Sequence, residues 1–266
     1  MSNIKRLNLP SEQDRIKIKK LANGARYRFS QQGIVDIFNI LENEAFLIRK
    51  PLEKLKISGF STYFDEAYIV FLNSSYTLGH ERYTAAHELY HILYNAEILK
   101  REIIINNDKH EEEDKKANIF AAEFLMPEDY VKELFYKLIN VDPKSVTAKD
   151  VVILNNIVGV SYRAMLKRLV QLKLCDENLF ETLALVGSID NKGKLQSITI
   201  NEGYKTDLII PSNEEYISRE YIEISRKNYE EGKISFTKLK ELLEFIGRNP
   251  SDYGHTDRNW EEDDWV

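Results

Sequence analysis

Residues 87–91 read His-Glu-Leu-Tyr-His. The surrounding segment from about His80 to Asn95 predicts a helix, because it contains no glycine and no proline. Residues four apart in a helix lie one above the other, so His87 and His91 share one face. Two imidazoles held in this way can bind one metal ion, and Zn²⁺ is the usual occupant. The pentapeptide therefore predicts a helix with a metal-binding face.

Glu88 lies between the two histidines without being required as a metal ligand. In that position it could take a proton from a metal-bound water, whose pKa zinc lowers to roughly 7. The alternative is a partly buried helix whose two histidines have ordinary hydrogen-bond partners. Against this alternative, only 5 histidines occur in the chain and two of them fall in the pentapeptide. The pattern indicates the chemistry of a metallopeptidase, with Glu88 as the general base.

A catalytic zinc site usually has three protein ligands and one open position. The second candidate element is an acidic helix from His110 to Met126, which Pro127 ends because it lacks the backbone donor of a continuing helix. Glu113 and Asp114 flank its apolar face, and either could reach a metal on the neighbouring helix. The acidic residues of this first turn could instead serve only to offset the helix dipole.

The apolar face of this acidic helix is predicted to pack against the metal-binding helix. Its members are Ala117, Phe120, Ala121, Phe124 and Leu125. The alanines are small enough to let the two helices approach closely. Glu112 and Glu123 point away from this face on a helical wheel, so both are predicted to be exposed to solvent.

Two stretches carry a resemblance to a known family. Thr-Ala-Ala-His-Glu-Leu-Tyr-His at 84–91 and Ala-Asn-Ile-Phe-Ala-Ala-Glu-Phe-Leu-Met-Pro at 117–127 resemble the ImmA/IrrE family of zinc metallopeptidases. The resemblance implies a zincin-like core and one Zn²⁺ per chain. It also implies that the acidic residue three positions before the Ala-Asn pair, Asp114, is the third ligand. The family usually has Glu there, and Asp is shorter by roughly 1.5 Å, so Glu113 stays open as the alternative.

The resemblance further implies an endopeptidase with a narrow choice of protein substrate. Members of the family typically cleave a cognate helix-turn-helix transcriptional repressor, which frees genes of stress responses or mobile elements. We therefore expect a small DNA-binding repressor as the partner. Asn118 is expected to hydrogen-bond one of the metal ligands, as groups around metal sites commonly do. Candidates for stabilising the oxyanion are Tyr76, His80, Tyr94 and His110.

Composition excludes several other classes of protein. The 37 Lys plus Arg residues against 43 Asp plus Glu give a net charge of −6, which provides no global attraction to nucleic acid or membrane. No apolar run approaches the roughly 20 residues of a membrane span, and the N-terminus lacks a hydrophobic signal segment. The single cysteine, Cys175, excludes an intramolecular disulfide and a thiolate metal cluster. We expect a cytoplasmic protein without a membrane partner.

The pattern along the chain predicts an α+β fold, with a zincin-like metallopeptidase domain at residues 1–140. Its predicted elements, besides the two helices above, are helices Ser11–Ala22 and Gln31–Asn43 and strands Ala45–Arg49, Ile57–Tyr63 and Tyr68–Leu72. In zinc peptidases of this architecture the substrate lies extended along an edge strand. The segments 58–60 and 68–73 are both candidates for that strand.

Residues 141–175 are predicted to form a helix-turn-helix-like segment. Gly159 is placed in the turn, and Ser161 is the candidate N-cap of the second helix. That helix carries the cations of a recognition helix, namely Arg163, Lys167 and Arg168. Direct DNA binding through 147–173 is possible but not favoured for a chain of negative charge. A helical pair that packs on the core or holds a protein substrate is the preferred interpretation.

Residues 176–266 are predicted to form a C-terminal α/β region of unknown role, which ends in an acidic tail, Trp260–Val266. Leu179–Val186 is compatible with a helix or a strand, and Gly187–Ile200 suggests a hairpin. Two further helices are predicted at Tyr216–Tyr229 and Ser235–Ile246.

Two rival functions remain open at this point. One is a repressor- or antitoxin-binding scaffold whose metal site is weak or inactive, and Asp114 in place of the family's usual Glu supports it. The other is a DNA-binding regulator that acts through residues 147–173.

Overall fold

The computed structural model describes residues 11–29, 35–64, 66–101, 107–188 and 191–256, without the side chains of residues 64, 101, 107–110 and 192. The fold is a mixed α+β fold, as predicted from the sequence. The chain divides into two compact units, residues 1–214 and residues 215–266. The finer division at residues 140 and 175 stays a prediction, and the acidic tail lies outside the described residues.

The first unit contains the predicted peptidase elements and the segments that follow them. Its strands are β1 (Phe46–Lys50), β2 (Gly59–Phe64) and β3 (Ala67–Asn73). Its helices are α1 (Glu12–Arg28), α2 (Ile37–Glu44), α3 (Leu78–Tyr94), α4 (Ala96–Arg101), α5 (Asn107–Leu125), α6 (Glu128–Leu138), α7 (Ala148–Val158), α8 (Tyr162–Gln171), α9 (Phe180–Val186) and α10 (Lys192–Asn201). The second unit contains β4 (Tyr216–Ile217), α11 (Arg219–Glu230) and α12 (Phe236–Glu244).

The strands of the first unit lie in the order β2-β3-β1. Strand β1 is parallel to β3, with Leu47 opposite Val70, and β2 is antiparallel to β3, with Ser61 opposite Val70. Leu47, Val70 and Leu72 are buried in the core. Among the described strands β2 pairs on one side only, so it is an edge strand.

Helix α3 packs against α5 and the strands. Ala85, Ala117 and Ala121 are fully buried, which allows the two helices the close approach expected from their small side chains. Strand β2 also approaches α3 closely. A Cβ atom at Gly59 would lie 2.7 Å from Cγ2 of Thr84, so any larger residue here would require the strand or the helix to shift. These contacts bring β2, α3 and α5 together around one region.

A segment late in the first unit closes the beginning of α3, and we call residues 207–214 the strap. The Leu78 backbone N–H donates to the Ile210 carbonyl at 3.0 Å, and the Ser212 hydroxyl donates to Oε2 of Glu81 at 2.7 Å. Gly79 also lies close to the strap, because a Cβ there would lie 2.8 Å from the carbonyl oxygen of Leu208. Helix α3 therefore begins against a segment more than a hundred residues later in the chain.

Several predicted elements are wrong in their extent or type. The helix predicted at Gln31–Asn43 begins only at Ile37, and the helix predicted at Tyr216–Tyr229 begins only at Arg219, after strand β4. Helix α1 continues through Asn23 and Gly24 to Arg28, since Ala25 is buried and Arg26 donates to the Phe124 carbonyl at 2.6 Å. The hairpin predicted at 187–200 is instead helix α10. Leu195 and Thr199, four apart, are both buried on one face of that helix.

The helix-turn-helix-like pair forms as predicted, but its charges do not lie as predicted. Gly159 has φ 77° at the end of α7, and the Ser161 hydroxyl accepts from the Ala164 N–H at 3.2 Å. Arg168, however, is buried and donates to Oε2 of Glu123 at 2.7 Å. The predictions that Glu123 points into solvent and that Arg168 serves a recognition helix are therefore wrong, because α5 is covered by α8 on this side.

Candidate metal centre

The two histidines of the pentapeptide face each other across one turn of α3. Nε2 of His91 lies 3.2 Å from Nε2 of His87. A tetrahedral Zn²⁺ at 2.0–2.1 Å from two nitrogens separates them by about 3.3 Å. The spacing of the two ring nitrogens therefore fits a shared tetrahedral metal ion.

Helix α5 brings Asp114 to the same point. Its Oδ1 lies 3.4 Å from Nε2 of His91 and 3.7 Å from Nε2 of His87. The ligand atoms of the three residues all lie within 4.8 Å of one another. The side chain of Asp114 is 54% exposed, so the group opens to solvent on one side. Two imidazole nitrogens and one carboxylate oxygen form a donor set that suits Zn²⁺ with a fourth position for water.

The three groups perturb one another electrostatically. Hydrogen bonds to His87 and then to His91 lower the pKa of Asp114 far below its ordinary value. Burial lowers the pKa of His87, but the hydrogen bond to Asp114 and the charge of Glu88 outweigh burial and raise the pKa overall. The carboxylate of Asp114 is thus ionised at neutral pH, as a metal ligand must be.

The outward-facing nitrogen of His87 contacts Asn118. Nδ1 of His87 lies 3.2 Å from Oδ1 of Asn118, and an amide oxygen can only accept. In a metal-bound form, a hydrogen on Nδ1 would satisfy this contact and would leave the lone pair of Nε2 for the metal. Tyr83, one turn before His87, donates to the Asn118 backbone carbonyl at 2.7 Å. Asn118 thus lies where its predicted role requires, and that role stays a prediction.

Glu113, the alternative third ligand, bonds elsewhere. Its Oε2 accepts from Nδ2 of Asn95 at 2.9 Å and from the Tyr90 hydroxyl at 3.2 Å, and its Oε1 contacts Nζ of Lys116 at 2.8 Å. Burial raises the pKa of Glu113, but the bonds from Lys116 and Asn95 outweigh burial and lower the pKa overall. Nδ2 of Asn95 also lies 3.3 Å from Nδ1 of His91. The structure therefore brings Asp114, and not Glu113, to the two histidines.

Glu88 is buried beside the histidines, and 5% of its surface is exposed. Its Oε2 accepts a hydrogen bond from the Ser61 hydroxyl of β2 at 2.8 Å. A buried carboxylate next to a metal ligand is the arrangement that a general base of a zinc peptidase requires.

Comparison with known protein families agrees with this geometry. Residues 44–170 match the model of the peptidase M78 family, described as the IrrE N-terminal-like domain. This match supports an ImmA/IrrE family assignment for the segment. No curated protein matches the chain. The matched segment contains β1 to α6 and the helix-turn-helix-like pair to residue 170, so all of the candidate metal centre lies inside it. The family assignment indicates a metallopeptidase-like function.

The three described oxyanion candidates, Tyr76, His80 and Tyr94, contact residues outside the triad. Nε2 of His80 lies 2.9 Å from the Ser58 hydroxyl, and its ring packs on Tyr76 at 4.8 Å between centroids. Burial lowers the pKa of His80. The Tyr94 hydroxyl donates to the Leu21 carbonyl at 3.2 Å. The side chain of His110 lies outside the described residues, so the oxyanion role of all four residues stays a prediction.

Sequence reasoning missed three residues that contact the site of this ImmA/IrrE segment, namely Ser61, Asn95 and Tyr83. Tyr83 and Asn95 lie one turn from His87 and His91 on the same helix, so helical spacing alone could have suggested them. Ser61 lies on a strand 27 residues away from Glu88. No local pattern could have predicted that contact.

Proposed function

We propose that this chain is a zinc-dependent endopeptidase that cleaves a cognate helix-turn-helix transcriptional repressor and thereby relieves repression. The observation that carries the proposal is the convergence of two imidazole nitrogens and one carboxylate oxygen at the spacing of a tetrahedral zinc site. The ionised Asp114 and the buried Glu88 beside the site support the same chemistry.

His87, His91 and Asp114 would hold the metal. A bound Zn²⁺ would supply Lewis acidity and lower the pKa of a water molecule to roughly 7. Glu88 would accept one proton from the attacking water while the water oxygen bonds to the carbonyl carbon of the substrate. It would then deliver that proton to the amide nitrogen as the C–N bond breaks, which gives an amine and a carboxylic acid, and the acid loses its remaining proton to solvent.

A protein substrate in extended form suits the edge strand. The free side of β2 can pair with a substrate segment through backbone hydrogen bonds. Phe60, on the sheet face opposite Ser61, is 48% exposed and could contact an apolar substrate residue. That the substrate is a small DNA-binding repressor rests on the family resemblance, and the α7–α8 pair provides a helical surface for such a partner.

Two variants test the assignment of roles. Glu88→Gln should retain one Zn²⁺ per chain and lose cleavage, because it removes the base and no metal ligand. His91→Ala should lose both the metal and cleavage. Zinc content is measured by elemental mass spectrometry. Cleavage is measured on the product of any small repressor-like reading frame found next to the gene, with the fragments mapped by mass. Glu112→Gln, at an exposed position of α5, is the matched control. Undiminished cleavage by purified Glu88→Gln protein would falsify the general-base assignment.

A scaffold that binds a repressor without cleaving it is the second candidate, and the Asp at position 114 favours it. A purified chain without stoichiometric zinc, which still binds the repressor, would establish the scaffold instead. The DNA-binding alternative is weakened, because Arg168, one of the three cations expected on the recognition helix, is buried against Glu123.

A further inference from the structure

Strand β2 crosses α3 over the turn that carries Glu88. Gly59 lies against Thr84, where a Cβ would meet Cγ2 at 2.7 Å, and the Ser61 hydroxyl donates to Oε2 of Glu88 at 2.8 Å. Gly59 and Ser61 share one face of the strand, since they are two apart. Thr84 and Glu88 share one face of the helix, since they are four apart. The strand and the helix are therefore in register at two successive points.

This register fixes the position of the Ser61 hydroxyl. The close approach at Gly59 leaves the backbone of β2 no room to shift toward α3. The antiparallel pairing of β2 with β3, in which Ser61 lies opposite Val70, holds the strand from the other side. The hydroxyl is thus presented to Glu88 by two rigid elements and not by a loop.

We propose that Ser61 is a positioning residue for Glu88, an inference that rests on the proposed peptidase function. A carboxylate turns easily about its last torsion, so a buried base without a fixed partner samples several orientations. The bond from Ser61 to Oε2 holds one orientation and leaves Oε1 to accept the proton of the attacking water. Ser61 does not touch the substrate in this role; it acts through Glu88.

The role predicts an effect on kcat and not on KM. Displacement of a reacting group by about 1 Å costs up to about a hundredfold in rate, and the substrate contacts remain. Ser61→Ala should therefore lower kcat by about 10- to 100-fold. Ser61→Thr keeps the hydroxyl on a side chain suited to a strand, so it should restore kcat to within about threefold of the original.

The experiment uses the full chain loaded with Zn²⁺ and a mixture of tryptic peptides from a bacterial lysate as the probe. Mass spectrometry identifies a peptide that the protein cleaves, and that peptide is synthesised for measurements of kcat and KM. Ser197→Ala is the matched control, because it makes the same substitution at an exposed position of α10, outside β2 and the candidate metal centre. Zinc content and thermal unfolding are measured for every variant. If Ser61→Ala does not fold, Ser61→Cys takes its place, because its thiol is a weaker donor.

Four outcomes decide the proposal. A fall in kcat at constant KM and zinc content, with rescue by Ser61→Thr, supports it. An unchanged kcat in Ser61→Ala, or a rise in KM in place of the fall in kcat, overturns it and leaves the peptidase function intact. A failure of Ser61→Thr to rescue also overturns it. If the zinc-loaded parent chain cleaves neither the peptides nor the repressor, the proposed function and this inference fail together.

Discussion

Asp114 and Glu123 of helix α5 both contact nitrogen-bearing side chains of other helices, and their environments differ. Asp114, in its first half, faces His87 and His91, and 54% of its side chain is exposed. Glu123, near its end, pairs with Arg168 at 2.7 Å, and their side chains are 11% and 5% exposed. The same helix therefore carries one solvent-exposed group of ionisable residues around Asp114, which we call open, and one buried group around Glu123, which we call closed.

The difference shows how a structural ion pair can be told from a candidate metal site. Arg168 is permanently charged, and it also donates to the Met126 carbonyl at 3.0 Å, so its group is complete without a ligand. At Asp114 the ligand atoms converge on a point that is open to solvent, and a cation would complete them. The Asp114 group and the Glu123 group therefore differ in whether their polar atoms all have partners, and not only in burial.

The largest effect on stability is expected from breaking the closed pair. Arg168→Met leaves Glu123 buried without its partner, so the free energy of unfolding should fall by about 3–5 kcal/mol. Chemical denaturation measures this. Arg163→Met, at an exposed position of the same helix, should change it by less than about 0.5 kcal/mol. Equal effects of the two variants would show that the ion pair between Arg168 and Glu123 contributes no more to the free energy of unfolding than an exposed charge does.

A matched pair of amide variants on α5 contrasts the two ends directly. Asp114→Asn should weaken zinc binding by about a hundredfold or more, since loss of an outer partner of a metal site alone costs about 10- to 100-fold. It should lower the metal-free stability by less than about 1 kcal/mol, because solvent screens the contacts of the half-exposed carboxylate with the histidines. Glu123→Gln should keep the zinc affinity and lower the free energy of unfolding by about 1.5–3 kcal/mol. Competition with a chromophoric chelator and denaturation measure the two quantities. If Asp114→Asn lowered the metal-free stability and Glu123→Gln weakened zinc binding, the roles assigned to the two ends would be reversed.

A variant of Ser212, which contacts Glu81, tests whether a buried carboxylate tolerates the loss of one of its two partners. Glu81 is buried, and it pairs with Arg49 at 2.7 Å as well as with Ser212 of the strap. Ser212→Ala should lower the free energy of unfolding by about 1.5 kcal/mol, because the ion pair with Arg49 remains. Ser251→Ala, at an exposed position, serves as the control. A loss as large as that of Arg168→Met would contradict this ranking.

The smallest effect is expected at a carboxylate that is neither closed nor part of the site. Hydrogen bonds from Lys132 and then from Lys19 lower the pKa of Glu128 to about 2, from 4.5. A lowered pKa in the folded state stabilises the protein above pH 4.5, and this contribution is lost as the pH falls toward 2. Solvent screens the pair, so Glu128→Gln should cost less than about 1 kcal/mol at pH 7.

Denaturation of both proteins between pH 7 and pH 2 measures the contribution of Glu128. The difference between the parent chain and Glu128→Gln should shrink as the pH is lowered. A difference that grows toward acid pH would contradict the sign of the pKa shift.

The sequence predicted those features that depend on local spacing. The ligand face of α3, the apolar face of α5 and the strands, to within about two residues, all follow from periodicity and from turn residues. The failures lie where a distant segment decides. Glu123 lies away from one apolar face of α5, but Arg168, 45 residues later, covers it. At 187–200 the two glycines suggested turns, whereas burial of Leu195 and Thr199 on one face favours a helix.

The strap sets the smallest part of the chain that can be expected to keep the site. The first N–H groups of a helix have no acceptor within the helix, and for Leu78 the Ile210 carbonyl provides one. A fragment trimmed to the matched residues 44–170 would leave the Leu78 N–H without this acceptor and would expose Glu81 to solvent. A fragment designed to contain the peptidase domain alone should therefore extend through residue 214. In shorter fragments the N-terminal end of α3, which precedes the turns with His87 and His91, should lose its helical structure.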